Sequence, residues 1–174
     1  QDDSEETGGS QLVLLICNDT GYKNLTQLIS RAYLQGQRQG IPTINLAWLE
    51  GHSDGLIALS GGRHGDIGIA LISGRRSDAE NSLTRFMELF PQRFYLELQR
   101  TGRQDEEDYL HLVIDLSIKF NCPVVATNDV RFLIRSEFEA HEARVCIHEG
   151  RTLDDPRRDR KFSEDQYLRS AEEM

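Results

Sequence analysis

No apolar run in this 174-residue chain approaches the roughly 20 residues that a membrane-crossing helix needs. Its opening residues do not read as a signal peptide. Cysteine is scarce. Cys17, Cys122 and Cys146 are odd in number, far apart and never in a C-x-x-C pair, which argues against a disulfide framework or a zinc site. Cys17 and Cys122 lie in or beside apolar runs and read as buried free thiols, in keeping with a reducing cytoplasm. Positive charge is also short: 20 Lys and Arg face 29 Asp and Glu, for a net charge of −9. That balance argues against a broad nucleic-acid-binding surface, which is built from clustered Lys and Arg, and leaves room only for a local basic strip. What remains is a hydrophobic content of 38% and a charged content of 28%, the composition of a soluble globular domain with a real core.

The chain opens with QDDSEETGGS, an acidic, Gly/Ser-rich stretch expected to be flexible. LVLLICND (12–19) then predicts a buried strand, followed by a helix with Leu25, Leu28, Ile29 and Ala32 at helical spacing and Gly36 as its stop. GLIALSGG (55–62) predicts a second strand ending in a glycine turn. A short helical face of Ile67, Ala70 and Leu71 follows, closing near Gly74. The next helix is expected to start at Ser77, with Glu80 completing a capping box and Leu83, Phe86, Met87 and Phe90 on one face. RFYLELQRTG (93–102) is the third expected strand. Asp105, Glu106, Glu107 and Asp108 then suit the positive end of a helix whose core face is Tyr109, Leu112, Val113, Leu116 and Phe120. PVVATNDVRF (123–132) predicts a fourth buried strand, before a helix capped by Ser136 and Glu139 with Phe138, Val145 and Cys146 facing inward.

Strands apolar on both faces, alternating with helices, predict a parallel sheet covered by helices. Pattern alone does not separate a doubly wound sheet from part of a barrel, and in both the functional groups gather at the C-terminal strand ends. Those ends are Asn18-Asp19, Ser60 to Arg63, Gln99 to Arg103, and Thr127 to Arg131.

Chemistry is thinly signalled. None of the five histidines forms an H-x-H pair. His141 falls on an apolar helical face and reads as a satisfied core histidine, and Asp129 alone cannot hold a catalytic metal. SGGRHGD (60–66) joins a strand to a helix, and Arg63 with His64 could meet an anion there. It lacks the spacing of the nucleotide-binding glycine loops, and a tight turn is its simpler role. In RTLDDPRRDRKF (151–162), Arg151, Arg157, Arg158, Arg160 and Lys161 alternate with Asp154, Asp155 and Asp159. That pattern favours a solvated, salt-bridged loop over a phosphate-binding strip. There is no G-x-S-x-G, no persuasive Cys/His neighbour pair and no convincing pair of carboxylates presented together for two metals.

The order of NDTGYKNLTQLISRAY, GLIALSGGRHGDIG, PQRFYLELQRTGRQDEEDYLH, PVVATNDVRFL, FEAHEARVCI and RTLDDPRRDRKFSEDQY resembles the latter part of the PHP (polymerase and histidinol phosphatase) domain that opens bacterial, proteobacterial-type DNA polymerase III alpha subunits. The resemblance runs from about Leu12 to the end and implies an α/β fold. That fold is a PHP-type distorted (βα) barrel, here an incomplete part with roughly four βα units. On this reading residues 1–11 are a flexible acidic lead-in and 12–150 the C-terminal portion of the domain. Residues 151–174 are then a connecting loop and the start of a following helix.

Metal-binding members of the family hold a metal cluster at the C-terminal strand ends. Their opening H-x-H would lie before Gln1. The positions that match the rest of the site are Gly62, Thr101, Asp129 and Arg131, and of these only Asp129 keeps a metal-ligand side chain. Arginine has no lone pair to give, so Arg131 is expected to neutralise Asp129 rather than join it in binding a cation. The resemblance therefore implies a segment with no metal, no cofactor and no catalytic residue of its own. Its parent would be a DNA-directed DNA polymerase using magnesium. The implied partners are the proofreading exonuclease subunit, the rest of the alpha subunit and, through the parent, DNA. A metal-dependent phosphoesterase or pyrophosphatase of the intact domain is the alternative. A direct DNA contact through Arg157, Arg158, Arg160 and Lys161 is a third reading. If strands are missing, the exposed edges should make the segment self-associate or rearrange into an open sheet.

Overall fold

The computed structural model describes residues 9–103 and 106–174. Its centre is made by two largely buried strands, β4 (Leu56–Leu59) and β5 (Phe94–Gln99), running parallel. β6 (Val124–Thr127) pairs parallel to β5, and β1 (Val13–Ile16) pairs with the other side of β4, giving the order β1-β4-β5-β6. Five α-helices accompany them: α1 (Asp19–Gln35), α2 (Asp66–Ile72), α3 (Arg76–Leu89), α4 (Glu106–Phe120) and α5 (Phe138–Glu149). A small hairpin of β2 (Gln37–Arg38) and β3 (Ile41–Pro42), unforeseen in the sequence, follows α1.

The expected parallel pairing fails at one strand: β1 is antiparallel to β4. The reason is the connection. A βαβ unit carries the chain back along the sheet once, in its helix, and so restarts the next strand in the same direction. Here α1, about 25 Å long at 1.5 Å per residue, makes one pass and residues 36–54 make a second. The Cys17 N–H thus donates to the Gly55 carbonyl at 2.9 Å, with the end of β1 beside the start of β4. Asn18 caps α1 there by accepting from the Gly21 N–H at 3.0 Å. Asn18-Asp19 therefore lies at the opposite rim from the other three strand ends.

The core lies on one face of the sheet. Leu56, Ala58, Phe94 and Leu96 pack against Leu28 of α1, Leu71 of α2, Leu83 and Phe86 of α3 and Val113 and Leu116 of α4. The alternate residues Ile57, Tyr95 and Val125 face the other way and are half-buried. One-sided cover departs from a doubly wound sheet, which has helices on both faces. No barrel closes among the described residues: β1 and β6 are the outer strands, and Leu15 of β1 is 47% exposed. The two runs expected to be buried, 12–19 and 123–132, are thus edges. Cys17, just past β1, is exposed, whereas Cys122 and Cys146 are buried and burial pushes the Cys122 thiol up to about 11.

Two expected caps do not form. α3 begins at Arg76 without a side-chain cap, and Glu80 instead meets Arg76 at 3.2 Å and Lys119 at 2.7 Å. Before α5, the carboxylate of Glu137, not Ser136 or Glu139, accepts the N–H groups of Leu133 (3.0 Å) and Ile134 (3.4 Å). The flexible lead-in falls mostly outside the described residues, as does Asp105; where it ends, the Gln11 N–H is tied to the His64 carbonyl at 2.9 Å. Residues 151–174 contain no helix. They turn back along 128–132, where Phe132 and Tyr167 form a parallel bridge.

Candidate functional site

Because β4, β5 and β6 are parallel, their C-terminal ends share one rim, and an open cleft of about 850 Å³ lies there. After β4 the chain turns through Gly61 (φ 76°) and Gly62 (φ 58°), left-handed conformations that favour glycine. That turn sets Arg63 and His64 on the cleft wall. Burial, followed by the charges of Arg103 and Arg63, holds the His64 pKa below its usual range against the pull of Asp129.

After β5, Thr101 is fully buried. Its N–H (2.6 Å) and hydroxyl (2.8 Å), with the Gly102 N–H (2.8 Å), all donate to the carboxylate of Glu106. That acid, which the sequence suggested only as a dipole partner in the first turn of α4, folds back to fix the β5 loop. The fixed loop aims Arg103: its Nε donates to Thr101 Oγ1 at 2.9 Å and its Nη2 to Asp129 Oδ2 at 2.6 Å.

Asp129, after β6, is the centre of the rim. Arg103 reaches Oδ2, Arg131 Nη2 reaches Oδ1 at 2.9 Å, and the buried Gln166 amide donates to Oδ2 at 2.9 Å. The Arg103 and Asp129 side chains are only 16% and 21% exposed, against 44% for Arg131. The expected Asp129–Arg131 pair is therefore present, but Arg103 is the closer and drier partner. Gln166 also brings in the returning segment. The Arg131 N–H donates to the Gln166 carbonyl at 2.7 Å, Asn128 Nδ2 donates to the Tyr167 carbonyl at 2.7 Å, and the Ser163 hydroxyl donates to the Thr101 carbonyl.

One acid on the rim is not satisfied. Glu97 points from β5 into the cleft at 4% exposure. Its Oε1 accepts from the Thr127 hydroxyl and from Gln99 Nε2 (3.2 Å), while Oε2 has no partner.

The remaining sequence candidates divide. Arg158 is not solvated: its side chain is 6% exposed and paired with Glu142, while its Nη1 meets the Cys146 sulfur and the Leu153 carbonyl, each at 3.3 Å. Arg157 pairs with Asp155 at 3.1 Å, and Lys161 with Glu149 at 3.8 Å, as a salt-bridged loop requires. Arg160 and Lys161 reach the cleft wall. His141 is buried between Phe132 and Phe162, at ring separations of 5.5 and 4.7 Å, but it is not satisfied: Nδ1 has no hydrogen-bond partner and lies 3.9 Å from Glu142 Oε1. Burial, then Arg144 and Arg131, lowers its pKa.

The residues at the metal positions do not fit a metal ion. The Asp129 carboxylate is occupied by two guanidinium groups and an amide, and the Thr101 hydroxyl by Glu106 and Arg103. Among the described residues no three His, Cys, Asp or Glu side chains converge as a metal requires. Sequence reasoning found Asp129, Arg131, Thr101, Gly62 and His64, and the structure brings them to one rim. It passed over Arg103, Glu97 and Gln166. Glu97 left a signal, a lone acid inside the apolar strand FYLELQ; Gln166 left none.

A rim of parallel strand ends, with loops from three strands meeting over a one-faced sheet, belongs to a defined class. Residues 2–101 match the PHP domain family, and the chain belongs to it. The matched stretch includes β1, β4, β5 and Thr101; Asp129 and Arg131 lie beyond it. The chain is 53% identical over 171 residues to DNA polymerase III subunit alpha of Pseudomonas aeruginosa, covering 98% of this chain and 15% of that protein. The subunit of the same name from Vibrio cholerae is 52% identical over 173 residues (98% and 15%), and that from Escherichia coli K12 is 52% identical over 165 (95% and 14%). The chain thus spans about one-seventh of the length of these relatives.

Proposed function

We propose that this chain is the PHP segment of a replicative DNA polymerase alpha subunit, and that it acts as a non-catalytic scaffold and docking surface for the proofreading exonuclease subunit. The observation that carries the reading is the state of Asp129. Arg103, Arg131 and Gln166 supply the positive charge and hydrogen bonds that a metal ion would otherwise bring. The same bonds join the β5 and β6 ends to residues 163–168, so the former site serves as a structural clasp. A metal-dependent phosphoesterase would have to strip these donors from Asp129 before binding its ion.

The names of the relatives support the replication role. Polymerase chemistry, with magnesium and deoxynucleoside triphosphates, belongs in this reading to carboxylates elsewhere in the parent protein. A cytoplasmic location accords with three free cysteines and with no described helix long and apolar enough to cross a membrane. The test is a binding titration of the full-length protein with purified exonuclease subunit in the presence of EDTA. Saturable binding is expected; binding that disappears with EDTA, or is absent, contradicts the proposal.

A further inference from the structure

We infer that His141 is a proton-operated latch: in its neutral form it holds residues 151–168 against the loop after β6, and on taking a proton it lets that segment go. The inference deepens the clasp reading of Asp129 and rests on it, because the segment released is the one that carries Gln166.

Three pieces of chain meet at this ring. α5 supplies the imidazole, Phe132 of the loop after β6 lies 5.5 Å from it, and Phe162 of the returning segment meets it edge to face at 4.7 Å. The side chain is 5% exposed and Nδ1 has no hydrogen-bond partner. A neutral ring suits such a place, because an unpartnered ring nitrogen costs far less there than an uncompensated charge.

A proton finds no free counter-ion. Glu142, with Oε1 at 3.9 Å from Nδ1, is the acid beside the ring, and the buried Arg158 of the returning segment already neutralises it. Arg144 of α5 and Arg131 of the loop add positive charge. The Arg131 guanidinium also lies over Phe162, 5.3 Å from its centre, on a ring face that an imidazolium would otherwise use. Lys161, next to Phe162, turns to Glu149 at 3.8 Å. Burial first, then Arg144 and Arg131, accordingly lowers the His141 pKa. The charged ring is stable only in water, so proton uptake and release of the segment favour each other. Release gives up the Phe162 and Arg158 contacts. Further along it gives up the bonds from the Arg131 N–H to the Gln166 carbonyl (2.7 Å) and from the Leu168 N–H to the Phe132 carbonyl (3.0 Å).

A free imidazole takes its proton near about pH 6.5, and the latched ring takes it only at lower pH. The latch is therefore closed above that pH, and opening rises by up to about tenfold between pH 7.5 and 5.5. Asp155 of the segment, held below the usual carboxylate range by Arg157, titrates below this interval.

The experiment is hydrogen–deuterium exchange of the full-length protein at both pH values, read by mass spectrometry and corrected for the intrinsic pH dependence of exchange. Protection at 160–168 is expected to fall severalfold, up to about tenfold, at pH 5.5, while β5 is unchanged. An equal fall in β5 makes the change global and overturns the inference. His141→Phe keeps an aromatic ring between Phe132 and Phe162 but cannot titrate, and it is expected to abolish the fall while His64 still titrates. Should that variant fail to fold, Arg144→Ala, at an exposed position, is expected to shrink the fall by removing a charge that opposes the proton. A fall that persists undiminished in the variant overturns the latch. Protection at 160–168 that is equal at both pH values also overturns the latch but leaves the clasp standing, and no protection there at pH 7.5 overturns both.

Discussion

Replacing Asp129 by Asn removes a charge while keeping the side chain's shape, and the structure sets the cost. The carboxylate accepts from Arg103 at 2.6 Å, from Gln166 at 2.9 Å and from Arg131 at 3.2 Å. Arg131 is 44% exposed, so its share is that of a surface pair, about 0–1 kcal/mol. Arg103 is 16% exposed and would be left charged with little water to replace its partner. A fully buried pair broken this way costs about 3–5 kcal/mol, and hydrogen bonds to charged groups contribute about 1.5–3 kcal/mol each. For this partly buried pair a loss of about 2–4 kcal/mol follows. Urea denaturation reads it as a lower midpoint at unchanged slope. Arg131→Ala should shift the midpoint by about 1 kcal/mol or less. A double-mutant cycle between Arg103 and Asp129 should return a coupling of about 1–3 kcal/mol. If Asp129→Asn costs no more than Arg131→Ala, or the cycle closes near zero, Arg103 is not what holds the acid.

Arg158→Ala should destabilise by about 3–5 kcal/mol, since it strands the buried Glu142, whereas Arg157→Ala should stay within about 0.5 kcal/mol; thermal melts distinguish the two. His64 and His141 both have folded pKa values below their unfolded value of about 6.5, so the unfolded chain binds more protons and stability is lost as pH falls through 6.5. The urea midpoint should therefore be lower at pH 5.5 than at 7.5, and His141→Phe should shrink the difference. The exposed apolar edge at Val13, Leu15 and Ile16 should make the isolated chain self-associate. Leu15→Lys should then shift the sedimentation profile toward monomer, and a parent chain that is already monomeric contradicts the idea.

The helices were legible in the sequence because their apolar residues recur at the helical period and glycines close them, as Gly36 does after α1. The central strands were legible because Leu56, Ala58, Phe94 and Leu96 are apolar wherever the helices cover them. The direction of β1 was not legible: an apolar run has no arrow, and the two passes of residues 19–54 that reverse it leave no periodic mark. For the same reason an edge strand with apolar residues on both faces, such as β6, reads as buried. In the site, Asp129 and Arg131 are two residues apart in sequence and could be paired on sight. Arg103 and Gln166 reach the same carboxylate from 26 and 37 residues away, contacts that only the fold creates. The cap of α5 shows the limit of local rules: Ser136 and Glu139 have the expected spacing, yet Glu137 takes the two N–H groups because the chain enters through a tighter turn.

The central claim, that arginines rather than a metal ion neutralise Asp129, is tested most directly by metal analysis of the full-length protein. Zinc and manganese are measured by plasma mass spectrometry, with Asp129→Asn carried in parallel. The account predicts the same metal content in both proteins. Stoichiometric metal in the parent that is lost in Asp129→Asn would contradict it.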